Sequence, residues 1–301
     1  MSISSQVFLY LDVAKAKATV PEDLHRILKD IRDTSGGISA MNFRLKDALV
    51  DSAVNALPAP TPAGEDGGEV KWSKELDIEI YKAAQLSRLY GCYDQAERLY
   101  QRALEGKERT LGPDHPDTLG SANNLANLLR DQGKLGEAEP LYRRALEGKE
   151  RTLGSDHPDT LTSVNNLAIL LQDQGKLGEA EPLNRRTLEG FERTLGSDHP
   201  STLTSVNNLA ILLKAQGKLG EAEPLYRRAL EGYERTFGPD HPETIEYGIR
   251  NFAIFLENRD RCSEALPLYT VALERAVRAL GEEHRLTEKL KGDVKMCGAK
   301  I

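Results

Sequence analysis

The chain has 301 residues, of which 39 % are hydrophobic and 29 % charged, with a formal net charge of −7. An acidic balance of this kind argues against a nucleic-acid partner, which draws on a basic excess. No apolar run reaches the roughly 18 residues of a transmembrane helix, so no membrane insertion is expected. Three scattered cysteines, Cys92, Cys262 and Cys297, have neither metal-site spacing nor the density of a disulfide framework. They fit a reduced, cytoplasmic setting.

In chain order, residues 1–57 come first. Their apolar VFLYL stretch stops at Asp12 and has no positive charge before it, unlike a signal peptide. Helical spacing follows in Leu24, Ile27, Leu28 and Ile31, and again in Phe43, Leu45, Ala48 and Leu49, with Gly36-Gly37 between. A short helical N-terminal region of unknown role is therefore expected over 1–57. Residues 58–68, PAPTPAGEDGG, read as a flexible linker.

From there a block of 42 residues recurs almost letter for letter in 111–152, 153–194 and 195–236. Self-similarity at a fixed period means stacked supersecondary units. Within 111–152, Pro116 suits a first helical turn, with Asp114 or His115 as N-cap. Leu119, Ala122, Leu125, Ala126 and Leu129 form one apolar stripe, and Gly133 ends the helix. A second helix starts near Gly136 and buries Ala138, Leu141, Tyr142, Ala145 and Leu146. Pro140 lies close to its start, where a proline costs less than at mid-helix. Each unit is thus a long helical hairpin. Residues 69–110 read as a first hairpin with an altered first helix. Residues 237–279 read as a last one carrying one extra residue. Leu286, Leu290 and Val294 predict a C-terminal capping helix within 281–301.

The spacing Leu125-Ala126, Gly133, Ala138, Tyr142, Ala145 resembles the tetratricopeptide repeat (TPR). The 42-residue period and the wording LGPDHPDTL…NNLANLL…QGKLGEAEPLYRRALE resemble the kinesin-light-chain type. Similar arrays stand behind the nucleotide-binding domains of NLR-like signalling proteins. The resemblance covers roughly residues 70–280. It implies an all-α fold, a right-handed TPR superhelix (α-solenoid) with an array over 69–280. It also implies a non-enzymatic adaptor or scaffold that grips a peptide segment of a protein partner in a concave groove. The alternative is a regulatory, sensor or self-association module of an NLR-like system. Residues 1–57 hold no sustained heptad pattern, and the chain has no G-x-x-x-x-G-K-[ST] phosphate loop. Both families' usual partner segments are thus missing from this sequence. Oligomeric state and the partner's identity are not written in it.

In such arrays the first helices line the groove. The resemblance places Asn123, Asn124, Asn127 and Arg130 there, then Asn165, Asn166, Ile169 and Gln172. Asn207, Asn208, Ile211 and Lys214 follow, and finally Asn251, Ile254 and Glu257. Asparagine is a poor interior helix residue, yet the pair recurs in three repeats. Its amides match the backbone of an extended peptide, with the first of each pair expected as the better ligand contact. Otherwise one of each pair bonds the neighbouring repeat. Ile169 and Ile211 would supply apolar pockets, while Arg130 and Lys214 would favour acidic residues in the ligand.

Catalysis and cofactors have little to stand on. His115, His157, His199 and His241 recur with the repeat. Stacked helices set equivalent positions about 8–10 Å apart, too far for one metal ion, so they are expected as turn histidines near helix starts. The recurring Glu137, Glu139, Glu147 and Glu150 with Arg143, Arg144 and Arg151 are expected as a solvated outer face. No nucleophile–base constellation stands out. In the third hairpin Asn184 and Thr187 replace the tyrosine and alanine of its neighbours. If buried, their polar atoms should satisfy each other or the backbone.

Overall fold

The structure, a computed structural model, describes residues 74–301. The expected helical region 1–57 and linker 58–68 lie outside the described residues, as does the start of the first hairpin. Eleven α-helices follow one another, and no strand occurs among the described residues. They are α1 (Lys74–Leu89), α2 (Tyr93–Leu111), α3 (Pro116–Asp131) and α4 (Leu135–Leu153). Next come α5 (Pro158–Asp173), α6 (Leu177–Leu195), α7 (Pro200–Ala215) and α8 (Leu219–Phe237). A π-helical segment, Thr244–Arg250, runs directly into α9 (Asn251–Glu257), followed by α10 (Cys262–Leu280) and α11 (Arg285–Gly298). The helices alternate as short-looped hairpins, the architecture of a TPR α-solenoid.

From the second hairpin on, the first helices begin the same way. His157 stays extended, Pro158 occupies the first turn, and the Asp159 N–H donates to the His157 Nδ1 at 3.1 Å. His115, His199 and His284 cap α3, α7 and α11 identically, and the Glu243 N–H donates to His241. The histidines are therefore N-caps, each satisfying one of a helix's orphan amides. The first helix ends at a glycine with positive φ, Gly133 (76°) in the second hairpin and Gly217 (75°) in the fourth. In the last hairpin Asp260 takes that role at φ 57°. Aspartate is among the few non-glycine residues that visit this region.

The molecule divides into two compact units, one ending at Leu141 and the other spanning Tyr142–Ile301. In the first, α1 and α2 bury Ile80, Ala84, Ala96 and Tyr100, and α3 buries Leu119, Ala122 and Ala126. Small residues on the facing stripes bring the backbones close. The Arg88 Nε donates to Asp131 at 2.6 Å, and Lys107 pairs with Asp77 at 2.8 Å.

In the second unit the same stripes recur: Leu161, Val164, Leu167 and Ala168 on α5, and Leu203, Val206, Leu209 and Ala210 on α7. Against α5, α6 approaches so closely at Gly190 that an added Cβ would lie 2.6 Å from the Leu161 side chain. A side chain there would force Leu161, buried in the core, to shift. The extra residue of the last repeat is absorbed in the helix itself: the π-helical segment Thr244–Arg250 widens one turn to hold it. Leu286 and Leu290 of α11 are buried on this last hairpin, with Val294 packed beside them.

Candidate interaction surface

On α5 and α7 one narrow strip escapes burial. Leu203, Val206, Leu209, Ala210 and Leu213 are buried, while Thr204 is exposed and Asn208, Ile211 and Lys214 are half-buried. Spacings of three and four place these four on one side of α7. Thr162, Asn166, Ile169 and Gln172 repeat the strip on α5, where Asn165 is half-buried as well, and Tyr247 (44 % exposed), Asn251 and Ile254 continue it in the last hairpin. In the first unit, Asn124, Asn127 and Arg130 of α3 are half-buried.

The asparagines join the repeats. Asn208 Nδ2 donates to Asn165 Oδ1 at 3.0 Å, and Asn251 Nδ2 donates to Asn207 Oδ1 at 3.2 Å. The second amide of one hairpin thus reaches back to the first amide of the hairpin before. In two pairs the first amide is the more buried, with Asn207 only 4 % exposed and Asn123 8 %, whereas Asn165 and Asn166 are both half-buried. Asn208 and Asn251 keep more exposure, and their Oδ1 atoms have no partner among the described residues. In the place Asn207 holds, the last hairpin has Arg250, which binds Asp293 of α11 at 2.6 Å.

The cations of the strip differ. Arg130 lies 3.6 Å from Asp131. Lys214 has no carboxylate partner among the described residues, and burial lowers its pKa. A half-buried ammonium without a counter-ion is electrostatically incomplete. Glu257, its counterpart in the last hairpin, already binds Lys300 at 2.7 Å and Tyr269 at 2.8 Å.

Acids and arginines of the second helices stay partly exposed, and several also bridge successive hairpins. Arg186 pairs with Glu150 at 2.7 Å, Lys218 with Glu181 at 2.6 Å and Arg185 with Glu221 at 3.0 Å. Arg228 likewise pairs with Glu192. Each pair links one hairpin to the next. Hydrogen bonds from Lys218, then from Arg185 and Gln216, bring the Glu181 carboxyl down to about 2 against the opposing effect of burial. Pairing across 36 or 37 residues cannot be chosen from sequence when every repeat offers the same charges. For the asparagines a signal did exist: partners 43 and 44 residues apart exceed the local repeat length by one, joining a second amide to a first.

Among the described residues no group of histidine, cysteine or acidic side chains could hold a metal ion, and no helix is long and apolar enough to cross a membrane.

Family models described as tetratricopeptide repeat match residues 78–151, 117–192, 162–235 and 205–247, and another of that description matches 249–286. No curated protein matches the chain. Among solved structures, the chain is similar to a putative kinesin light chain of Podosopora anserina with nearly identical TPR-like repeats. The two share 26 % identity and a TM-score of 0.57, over 67 % of this chain and 96 % of that one. BtubC (BKLC) from P. vanneervenii is 20 % identical with a TM-score of 0.55, over 86 % of this chain and 92 % of that one, a likeness of fold. Arrays of this kind are protein–protein interaction scaffolds, typically without catalysis. The chain belongs to the tetratricopeptide-repeat family, with an array of the kinesin-light-chain-like type.

Proposed function

We propose that the array is a non-enzymatic adaptor that holds an extended, acidic peptide segment of a partner protein along the first-helix strip of the second unit. The observation that carries this reading is Lys214, a half-buried cation lacking a counter-ion. Ile211 sits one turn from it and Asn208 two turns away. An acidic side chain of the ligand neutralises Lys214. Ile169 and Ile211 take apolar side chains. The Oδ1 atoms of Asn208 and Asn251 accept from the ligand's backbone N–H groups, since their Nδ2 atoms are engaged with Asn165 and Asn207. Inter-repeat amide bonds fix the acceptors before the ligand arrives, which lowers the entropy lost on binding. Ordering a flexible peptide still costs affinity, so a dissociation constant of about micromolar size is expected.

A displayed library of random dodecapeptides tests this. Selection on the full chain should enrich peptides with an acidic residue beside an apolar one. Lys214→Glu should weaken those peptides at least about tenfold, and Asn208→Ala should weaken them without loss of helicity. Enriched peptides that bind Lys214→Glu unchanged, or no enrichment at all, would place the ligand site elsewhere.

A further inference from the structure

Two thiols meet where the cap helix lies on the last hairpin. Cys262 opens α10 and Cys297 lies in the last turn of α11. Both are free and buried, at 6 % and 0 % exposure. Cys297 Sγ donates to the backbone oxygen of Cys262 at 3.7 Å. Burial, and then hydrogen bonding to the Cys262 side chain, push the Cys297 thiol up to about 11. Besides the buried Leu286 and Leu290, α11 is held by polar, partly exposed pairs. They are Arg250–Asp293, Lys289–Glu246 at 3.2 Å and Lys300–Glu257 at 2.7 Å. Ion pairs of this sort are individually weak, and terminal helices of a repeat array open before its middle.

We propose that Cys262 and Cys297 form a reversible disulfide that clamps the cap helix α11 onto the last hairpin under oxidising conditions. A peroxide is the oxidant. Cys262, the less buried of the two residues, attacks as its thiolate; the O–O bond breaks, leaving a sulfenic acid on Cys262 and releasing hydroxide, which takes up the thiol's proton as water. Cys297, deprotonated as α11 loosens, attacks that sulfur. The S–S bond forms, the S–O bond breaks, and the oxygen leaves as water. In sum two thiols and one hydrogen peroxide give one disulfide and two waters. A link across 35 positions removes substantial chain entropy from the opened state.

The test uses the full chain carrying Cys92→Ser, so that only this pair can react. Hydrogen peroxide should lower the intact mass by about 2 Da and yield a linked Cys262–Cys297 peptide. The melting midpoint should rise by about 5 °C, and a reductant should reverse it. With Cys297→Ser added, the cross-link should vanish and a dimedone-reactive sulfenic acid should accumulate on Cys262. Thiols that stay reduced until the whole chain unfolds, that oxidise onward to sulfinic acid without linking, or that join only between chains, would overturn the proposal.

Discussion

At position 184 the third hairpin places a carboxamide where others place Tyr100, Tyr142, Tyr226 and Tyr269. The side chain is 1 % exposed. Its Nδ2 donates to the Ala180 backbone oxygen at 3.3 Å, and Thr187 Oγ1 donates to the Leu183 oxygen at 2.9 Å. Backbone groups therefore take up both donors, as the sequence leads one to expect, and the two side chains do not bond each other. The Asn184 Oδ1 remains buried without a hydrogen bond. A buried acceptor left in this state costs about 1–3 kcal/mol. Thr187 sits where the other hairpins have Ala103, Ala145, Ala229 and Ala272, all buried beside the ring. The two departures are coupled, because a tyrosine at 184 needs the volume that the threonine takes. The double change Asn184→Tyr with Thr187→Ala should accordingly raise stability by about 1–3 kcal/mol, and Asn184→Tyr alone by less. Thermal melts of the three chains decide it. A double variant that melts below the parent would mean that the site has closed around the smaller side chain.

Helix starts are where sequence and structure agree most closely, and a single contact explains why. The Ser201 N–H donates to the His199 Nδ1 at 3.2 Å, so the ring accepts there and its Nε2 carries the proton. His199→Ala removes the acceptor and should cost about 0.5–2 kcal/mol, whereas His199→Asp restores one and adds a favourable charge at the helix N-terminus. Denaturant melts that fail to rank alanine below aspartate would remove the capping role. Caps, proline and glycine act within a few residues of each other, which is why hairpin geometry could be read along the chain. The π-helical segment could be read only in part. One surplus residue is countable from the period, but an insertion can sit in a loop as easily as in a helix. Here Ile245, Ile249, Phe252 and Ala253 are all buried, so the helix keeps its apolar stripe and widens instead. The half-buried strip on the first helices was legible as residue types recurring at one register. Which amide of each pair turns inward was not, since burial depends on the neighbouring hairpin rather than on spacing within one.

For the molecule as a whole, stability accumulates from interfaces between successive hairpins, as in any linear array. Part of each interface is apolar and insensitive to pH; the rest is the row of bridges between second helices. Glu181 is the best-placed carboxylate in that row, accepting from Lys218 at 2.6 Å and from Arg185 at 3.0 Å, and its pKa is about 2 against an ordinary 4.5. In the unfolded chain the group takes up a proton first as pH falls. Its contribution is therefore fully present above about pH 4.5 and lost progressively down to about pH 2. Lys218 and Arg185 are 41 % and 42 % exposed, so solvent screening reduces the gain to roughly 1 kcal/mol or less. Glu181→Gln should then melt below the parent at pH 7, approach it as the pH falls from 4.5 towards 2, and approach it also in about 1 M salt, where the Debye length is near 3 Å. A deficit that is the same at pH 2 and pH 7 would assign the loss to packing or to the hydrogen bond with Gln216, and would remove the ionic row from the account of how the hairpins hold together.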